Sequence, residues 1–490
     1  MKKILSIACI IAAAVTFSSC KDFLDVKPSN QGDSSTSISS ASDAEVMING
    51  LMSKMSSSSY YGRDFLLYGD AKGGDVTIFT AGFGGDDLYY FSHSQTSGAR
   101  SGYWAQIYDC ILQANNIITN IYALQEAGST EDFDNYLGQA LTARGMMHFD
   151  LVRLYGKPYN MDKSSLGVPI VTEMLDANAQ PTRSSVEAVY TQILNDLTKG
   201  ATLISKSKMN GYLNYYANQA ILAKVYMYMD NFTEAYNCCK NVIGGPYSLY
   251  SNSEWVDSWK SEFGKESIFE LAMVMDEGDL GSGSLGFYYR RRGHGSTSAY
   301  GNFLASKYWL GIMGANDIRM GIMAYDEYED ESGIDHKGAC YKHCGSTRLE
   351  GDGKGNSTAV NVKVIRLSEV YLMAAECALK TNDLTAAKDY LNAISKRDPD
   401  VAPYDETTVT EDAIILERRK ELFAEGSLFF ELCRLNKTIT FSDDEFGNGT
   451  KSQYRETTID RTFFRCRLPI SQAEIDANPE IGKQQNEGYK

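Results

Sequence analysis

The chain has 490 residues, 43% of them apolar, which is enough to bury a substantial core and compatible with up to three domains. Its formal charge of −16 argues against nucleic acid as a partner, because a phosphate backbone demands a basic face. The 10 cysteines are few for this length, and several fall on helical patterns where a thiol behaves as a small apolar group, so no disulfide scaffold is implied.

Residues 1–19 carry Lys2 and Lys3, an apolar run from Ile4 to Val15, and Ser18 and Ser19 just before Cys20. This is a secretory signal, too short to span a membrane. A cysteine directly after small residues at this distance is the pattern of a bacterial lipoprotein acylated at Cys20; an ordinary cleaved signal with a chance cysteine is the alternative. Several acyl chains, at about 0.8 kcal/mol per buried methylene, anchor a protein stably. Cleavage removes two lysines and no acid, taking the charge from −16 to −18. Residues 20–43 are serine-rich and read as a flexible tether.

The body is expected from residue 44. A short helical pattern covers Ala44 to Met52, whereas Leu66 to Arg100 is glycine-punctuated and aromatic and reads as long loops. Helical stripes follow over Trp104 to Ala123, Asp132 to Leu154 and Val186 to Ile204. Two segments then fit the 34-residue tetratricopeptide pattern. Leu222, Ala223, Tyr226 and Ala235 do so across the turn Asp230–Asn231; Tyr371, Ala375, Ala387, Leu391 and Pro399 do so across Asn382–Asp383. Ordinary helical hairpins would also carry these residues, but a lone hairpin cannot bury its apolar face, so the pairs should stack. The expected fold is mainly α: a tetratricopeptide-like helical-hairpin scaffold at about 103–243 and 362–397, with a loop-rich insertion at about 244–358. Within the insertion, Glu266 to Met275 alternates enough for a strand.

The stretch from Thr408 to Lys437 combines dense charge with an apolar face. Thr408 stands three residues before Glu411, as in a capping box, and Gly426 is placed to stop the helix. Glu417, Arg418, Arg419, Glu421, Glu425, Glu431 and Arg434 among buried apolar residues predict a paired network, because an unpaired buried charge is very costly. The run resembles the C-terminal signature of the SusD/RagB family, roughly E-R-R-x-E-L-x-F-E-G-x-R-x-x-D-L-x-R. Ala424, Leu428 and Glu431 depart from it. Similar to family segments are also CKDFLDVKPSN from Cys20, RLYGKP from Arg153, GVPIV from Gly167 and RLPIS from Arg467; the signature and closing segment span 408–479. The resemblance implies an outer-membrane lipoprotein facing outward, associated with a SusC-like TonB-dependent transporter. It would serve that barrel as a substrate-capturing lid for an oligosaccharide or other nutrient.

Chemistry has less support. Gly281 to Gly286 matches the letters GxGxxG, but no helix follows to receive a pyrophosphate. His336, Cys340, His343 and Cys344 cluster without a recognised zinc spacing. No catalytic motif is present, so no enzyme, cofactor or metal is expected. Sugar recognition stacks aromatic faces on sugar rings and surrounds them with hydrogen-bonding groups. Two loops offer such residues: Asp70, Asp75, Phe79, Phe83, Asp86, Asp87, Tyr89 and Tyr90 in the first; Tyr288, Tyr289, Arg290, Tyr300 and Trp309 in the second. Replacing Phe79, Phe83, Tyr288 and Tyr289 together is expected to abolish binding without lowering the melting temperature. Trp104, Trp255 and Trp259 are assigned to the core. A surface adhesive or structural lipoprotein, and an anchored glycan hydrolase, are the alternative readings.

Overall fold

The computed structural model describes residues 38–489 except 80, 81, 83, 177, 274–277, 279, 291–298, 324–337, 344–358 and 444–450; the side chains of 98–101 are also not described. The signal, Cys20 and most of the tether therefore lie outside the described residues. The first helix, α1 (Ala41–Met55), starts at a capping box in which Ser40 and Asp43 satisfy each other's backbone N–H groups. Helix α2 (Asp64–Ala71) follows, then strand β1 (Val76–Ile78) and α3 (Asp86–Tyr90), where loops alone were expected. In α2 every residue from Phe65 to Ala71 is buried. A helix covered on all sides shows no apolar stripe, which is why periodicity misses it.

Helices α4 (Gly98–Glu126), α5 (Asp134–Tyr155) and α6 (Val186–Leu203) pack in succession, as their stripes predicted. Helices α7 (Tyr215–Tyr228) and α8 (Phe232–Ile243) form a hairpin. Beyond α9 (Asn252–Ser258), strand β2 (Ser267–Leu271) occupies part of the expected strand. The short helix α10 (Leu285–Tyr289), strand β3 (Phe303–Ala305) and α11 (Lys307–Ile312) follow. Strand β4 (Val362–Arg366) pairs antiparallel with β2 and leads into the second hairpin, α12 (Leu367–Lys380) and α13 (Leu384–Ser395). The repeat thus opens with a strand at 362.

Both hairpin turns are built alike. Asp230 and Asn382 take φ of 57° and 62°, a left-handed conformation that Asn and Asp tolerate better than most residues. The next residues, Asn231 and Asp383, cap the second helix by accepting the N–H of Glu234 and Ala386. The hairpins stack through α8 and α12, and Tyr236 donates to Asp383 at 3.3 Å. Trp104, Trp255 and Trp259 lie in the core as expected.

The charged stretch forms α14 (Glu411–Glu421) and α15 (Leu428–Arg434). Its cap is Thr410, which accepts from Ala413, while Thr408 closes a turn with Asp405; the expected capping box at Thr408 is replaced by a simple cap two residues on, since Ala413 has no polar side chain to return the bond. The helix ends at Glu421, before Ala424 and Gly426 turn the chain with φ of 62° and 74°. Gly426 has to be glycine for a further reason: a Cβ on it would lie 2.5 Å from the Leu66 Cα, and a Cβ on the facing Gly69 of α2 would in turn lie 1.8 Å from the Gly426 carbonyl oxygen.

The charges are paired, as predicted. Arg319 binds Glu417 at 2.9 Å, Arg418 binds Glu376 at 3.0 Å, and Arg434 binds Glu376 at 2.8 Å and Glu431 at 2.7 Å. Arg366 joins Glu266, Glu421 and Glu425, and Lys342 adds a second bond to Glu425 at 2.6 Å. Burial pushes the Glu425 carboxyl up, but Arg366 and Lys342 outweigh it and hold it at about 2. Cys110, Cys238, Cys239, Cys340, Cys377, Cys433 and Cys466 are buried thiols. His343 points to the carbonyl of Ala424 at 2.8 Å, while His336 and Cys344 lie outside the described residues. Among the described residues no three His, Cys, Asp or Glu side chains converge as metal ligands, and no helix is long and apolar enough to cross a membrane.

Candidate ligand-binding surface

The two aromatic loops meet through a short ladder. Strands β1 and β3 pair antiparallel, Val76 with Ala305, Thr77 with Leu304 and Ile78 with Phe303, and Phe79 continues by donating its N–H to Asn302 at 2.9 Å. At the other end Ser306 donates to the carbonyl of Asp75 at 2.8 Å. Gly84 and Gly85, at φ of 82° and 74°, then lie over the second loop. A Cβ on Gly84 would stand 3.2 Å from the Tyr288 hydroxyl, and one on Gly85 3.0 Å from the Phe303 ring. The described residues of 82–90 and 285–309 therefore form one region.

Most of the residues expected to touch ligand support this region from within. Tyr89, Tyr289 and Trp309 are each 0% exposed, so their ring faces are covered. Tyr89 donates to Asp443 at 3.0 Å, Tyr289 to Asp70 at 2.6 Å, and Trp309 to the Arg419 carbonyl at 2.9 Å while lying on Phe423. Phe79 is buried with Leu304, Ala339 and Tyr341. Tyr288 is buried beside Phe287, Tyr300 and Phe303, with the Arg63 guanidinium over its ring. Arg290 is buried and returns to the Gly286 carbonyl at 3.2 Å. These placements correct the expectation that Phe79, Tyr288 and Tyr289 are dispensable for stability: removing buried rings leaves cavities. Phe83 lies outside the described residues.

The carboxylates divide in the same way. Asp70 accepts from Tyr289 and from the Gly426 N–H at 2.8 Å, and burial pushes its carboxyl up to about 7 against those donors. Asp75 pairs with Arg419, yet burial still pushes it up to about 7. Both tie the first loop to other parts of the chain and are buried. Asp86 and Asp87 are half-buried at the start of α3, where Asp86 accepts from Gly82 at 3.1 Å.

The rings that do reach solvent are Tyr90 and Tyr300, both half-buried, Tyr308 at 51% exposure and Tyr454 at 42%. Tyr308 neighbours the expected Trp309, but adjacent positions on a helix point about 100° apart, so one ring enters the core and the other faces out. The Arg419 guanidinium, already bound to Asp75, lies 5.1 Å from the Tyr308 ring. Tyr454 is brought to the first loop by its neighbours: Ser452 donates to the Tyr90 carbonyl at 2.6 Å, and Arg455 to that of Tyr89 at 3.0 Å while clamping Asp443 with two bonds. Sequence reasoning missed both. Tyr308 carries no signal beside a larger aromatic, but Tyr454 is a lone ring in a polar run, a pattern that could have been noticed.

Comparison with known proteins places this architecture. The family model described as "SusD family" matches residues 335–489, and one described as "Starch-binding associating with outer membrane" matches residues 22–227. A crystal structure of a SusD superfamily protein from Bacteroides thetaiotaomicron shares 33% identity over 91% of this chain and 100% of its own, with a TM-score of 0.83. The chain belongs to the SusD/RagB family. This SusD/RagB protein is also similar to a putative sugar binding protein from Bacteroides vulgatus, at 31% identity over 93% of this chain and 100% of that one, TM-score 0.82. SusD-like protein P25 of Formosa agariphila is 24% identical over 96% of this chain and 97% of its own length. The mainly α fold of this SusD/RagB protein is that of the superfamily.

Proposed function

We propose that this protein is a cell-surface nutrient-binding lipoprotein that captures a glycan and acts as the lid of a TonB-dependent outer-membrane transporter. Membership of the SusD/RagB family, with one matching model described as starch-binding and outer-membrane associating, supports glycan binding at the outer membrane. Anchoring at Cys20, outward orientation and the SusC-like partner extend that reading. The observation that carries it is the group of solvent-facing rings, Tyr90, Tyr300, Tyr308 and Tyr454, together with Asp86 and Asp87, around a region built by two distant loops.

Such a surface works by binding alone. A ring lying flat on a sugar excludes water from the apolar face of the pyranose, and carboxylates at its edge accept hydrogen bonds from hydroxyls. Buried rings and ion pairs beneath fix the surface before ligand arrives, which lowers the entropic cost of binding. Binding then raises the local nutrient concentration, and lid opening exposes it to the pore, so no bond need be broken. Screening the mature chain against an oligosaccharide array, with calorimetry on the hits, tests the reading. Saturable binding of at least one glycan is the expected result, together with co-purification of a β-barrel partner from membranes. A folded chain that binds no oligosaccharide, or is recovered from membranes without a barrel, would contradict it.

A further inference from the structure

A second cleft lies apart from the loops, between the end of α5, the core rings Tyr190 and Phe429, and the closing segment of the chain. It encloses about 430 Å³ of empty space, open mouth included. Arg153, Lys157, Arg434, Arg461 and Arg467 all line it, and no carboxylate does. In a chain of net charge −16 this local surplus is unexpected.

Three of those cations are matched from behind the wall. Arg153 pairs with Asp150, Lys157 with Asp162 at 3.3 Å, and Arg434 with Glu431 and Glu376. The other two have no carboxylate within ion-pair distance among the described residues. Arg461 donates only to neutral oxygens, Asn160 Oδ1 at 2.8 Å and the carbonyls of Cys433 and Arg434 at 3.4 Å. Arg467 is 6% exposed, its guanidinium makes no hydrogen bond to a described residue, and its Nη1 is sealed from solvent. A buried guanidinium left in this state is strongly unfavourable unless something supplies negative charge. Arg183 adds to the imbalance: burial, with the repulsion of Arg467 behind it, pulls its guanidinium down to about 10.

We infer that this cleft is a site for a small oxyanion, a carboxylate or sulfate group, clamped between Arg461 and Arg467. The planar fork of a guanidinium matches two oxygens of such a group. The oxyanion could be a free ion or be carried on a sugar as a uronate or sulfate ester; the site does not depend on which neutral glycan the loops take.

The test is calorimetric titration of the mature full-length chain with sodium sulfate and, separately, with sodium glucuronate, at constant ionic strength. One saturable site per chain is expected with at least one of them, and Arg461→Gln and Arg467→Gln should each weaken it at least about tenfold. Binding of sulfate alone assigns a free or ester-borne sulfate; binding of glucuronate alone assigns a sugar carboxylate. Tyr308→Ala, in the loop surface, should leave the affinity unchanged, which separates this site from the glycan surface. Arg467 is buried, so Arg467→Gln can fail to fold. Arg461 is partly exposed, and Arg461→Gln then decides. No saturable heat with either anion, or an unchanged affinity in Arg461→Gln, would overturn the inference.

Discussion

Arg366 holds three carboxylates together, reaching Glu425 at 2.8 Å, Glu266 at 3.1 Å and Glu421 at 3.2 Å. Replacing it by alanine leaves those acids buried with too little positive charge. Arg366→Ala should therefore cost at least about 3 kcal/mol in urea denaturation, far more than loss of the exposed pair Lys163–Glu187, which solvent screens. His148 makes a pH-dependent contribution. Its Nδ1 lies 3.0 Å from the Arg144 carbonyl and its Nε2 3.2 Å from the Val171 N–H, so only the neutral ring with its proton on Nδ1 satisfies both. Burial holds its pKa down at about 4. The unfolded chain takes up this proton first as pH falls below about 6.5, so His148 costs stability progressively from there down to about 4, on the order of 3 kcal/mol. Denaturation curves at pH 7, 5.5 and 4 should show that slope reduced in His148→Gln. Asp70 acts with the opposite sign. Its carboxyl is raised to about 7, so the folded chain holds this proton more tightly and the contribution to stability fades as pH rises from about 4 to 7. Relative to the native chain, Asp70→Asn should gain in melting temperature across that window.

At the level of elements, what was legible depended on how each one is buried. The hairpins α7–α8 and α12–α13 were readable because each has one apolar face, and because Asp230–Asn231 and Asn382–Asp383 are turn-and-cap pairs with a physical signature. Helix α2 was not, since Phe65 to Ala71 are buried without a period. Strands β1 and β3 have three residues each and gain their identity only from pairing residue 76 with residue 305, a contact no local pattern encodes. The site followed the same rule. The two aromatic segments stand out in the sequence, but which of their rings face solvent does not: Trp309 turns inward and Tyr308 outward, one residue apart on one short helix. The packing of α2 against the turn after α14 supplies an element-scale prediction. A Cβ at position 69 would lie 1.8 Å from the Gly426 oxygen, a backbone atom that cannot swing away. Gly69→Ala should lose about 3 kcal/mol or more, or fail to yield folded protein, as judged by circular dichroism melts.

Across the whole molecule, the charged signature and the aromatic loops divide the work. Arg419, Asp75, Asp70 and Gly426 link the end of α14 to the first loop, and Lys342, close to the second, bonds the carbonyls of Glu421 and Phe423. The stretch that identifies the family thus braces these loops from beneath, and Arg419 also reaches the exposed Tyr308 ring. Stability and recognition should accordingly be separable by mutation. Tyr289→Ala empties a buried site and should lower the melting temperature by several degrees, whereas the exposed rings Tyr308 and Tyr454 can be removed at little structural cost. The most direct test is calorimetry paired with thermal melting on the Tyr308→Ala, Tyr454→Ala double variant, using a glycan that the native chain binds. The account predicts affinity at least about tenfold weaker with the melting temperature within about 3 °C of native. Undiminished affinity in a folded double variant would contradict it.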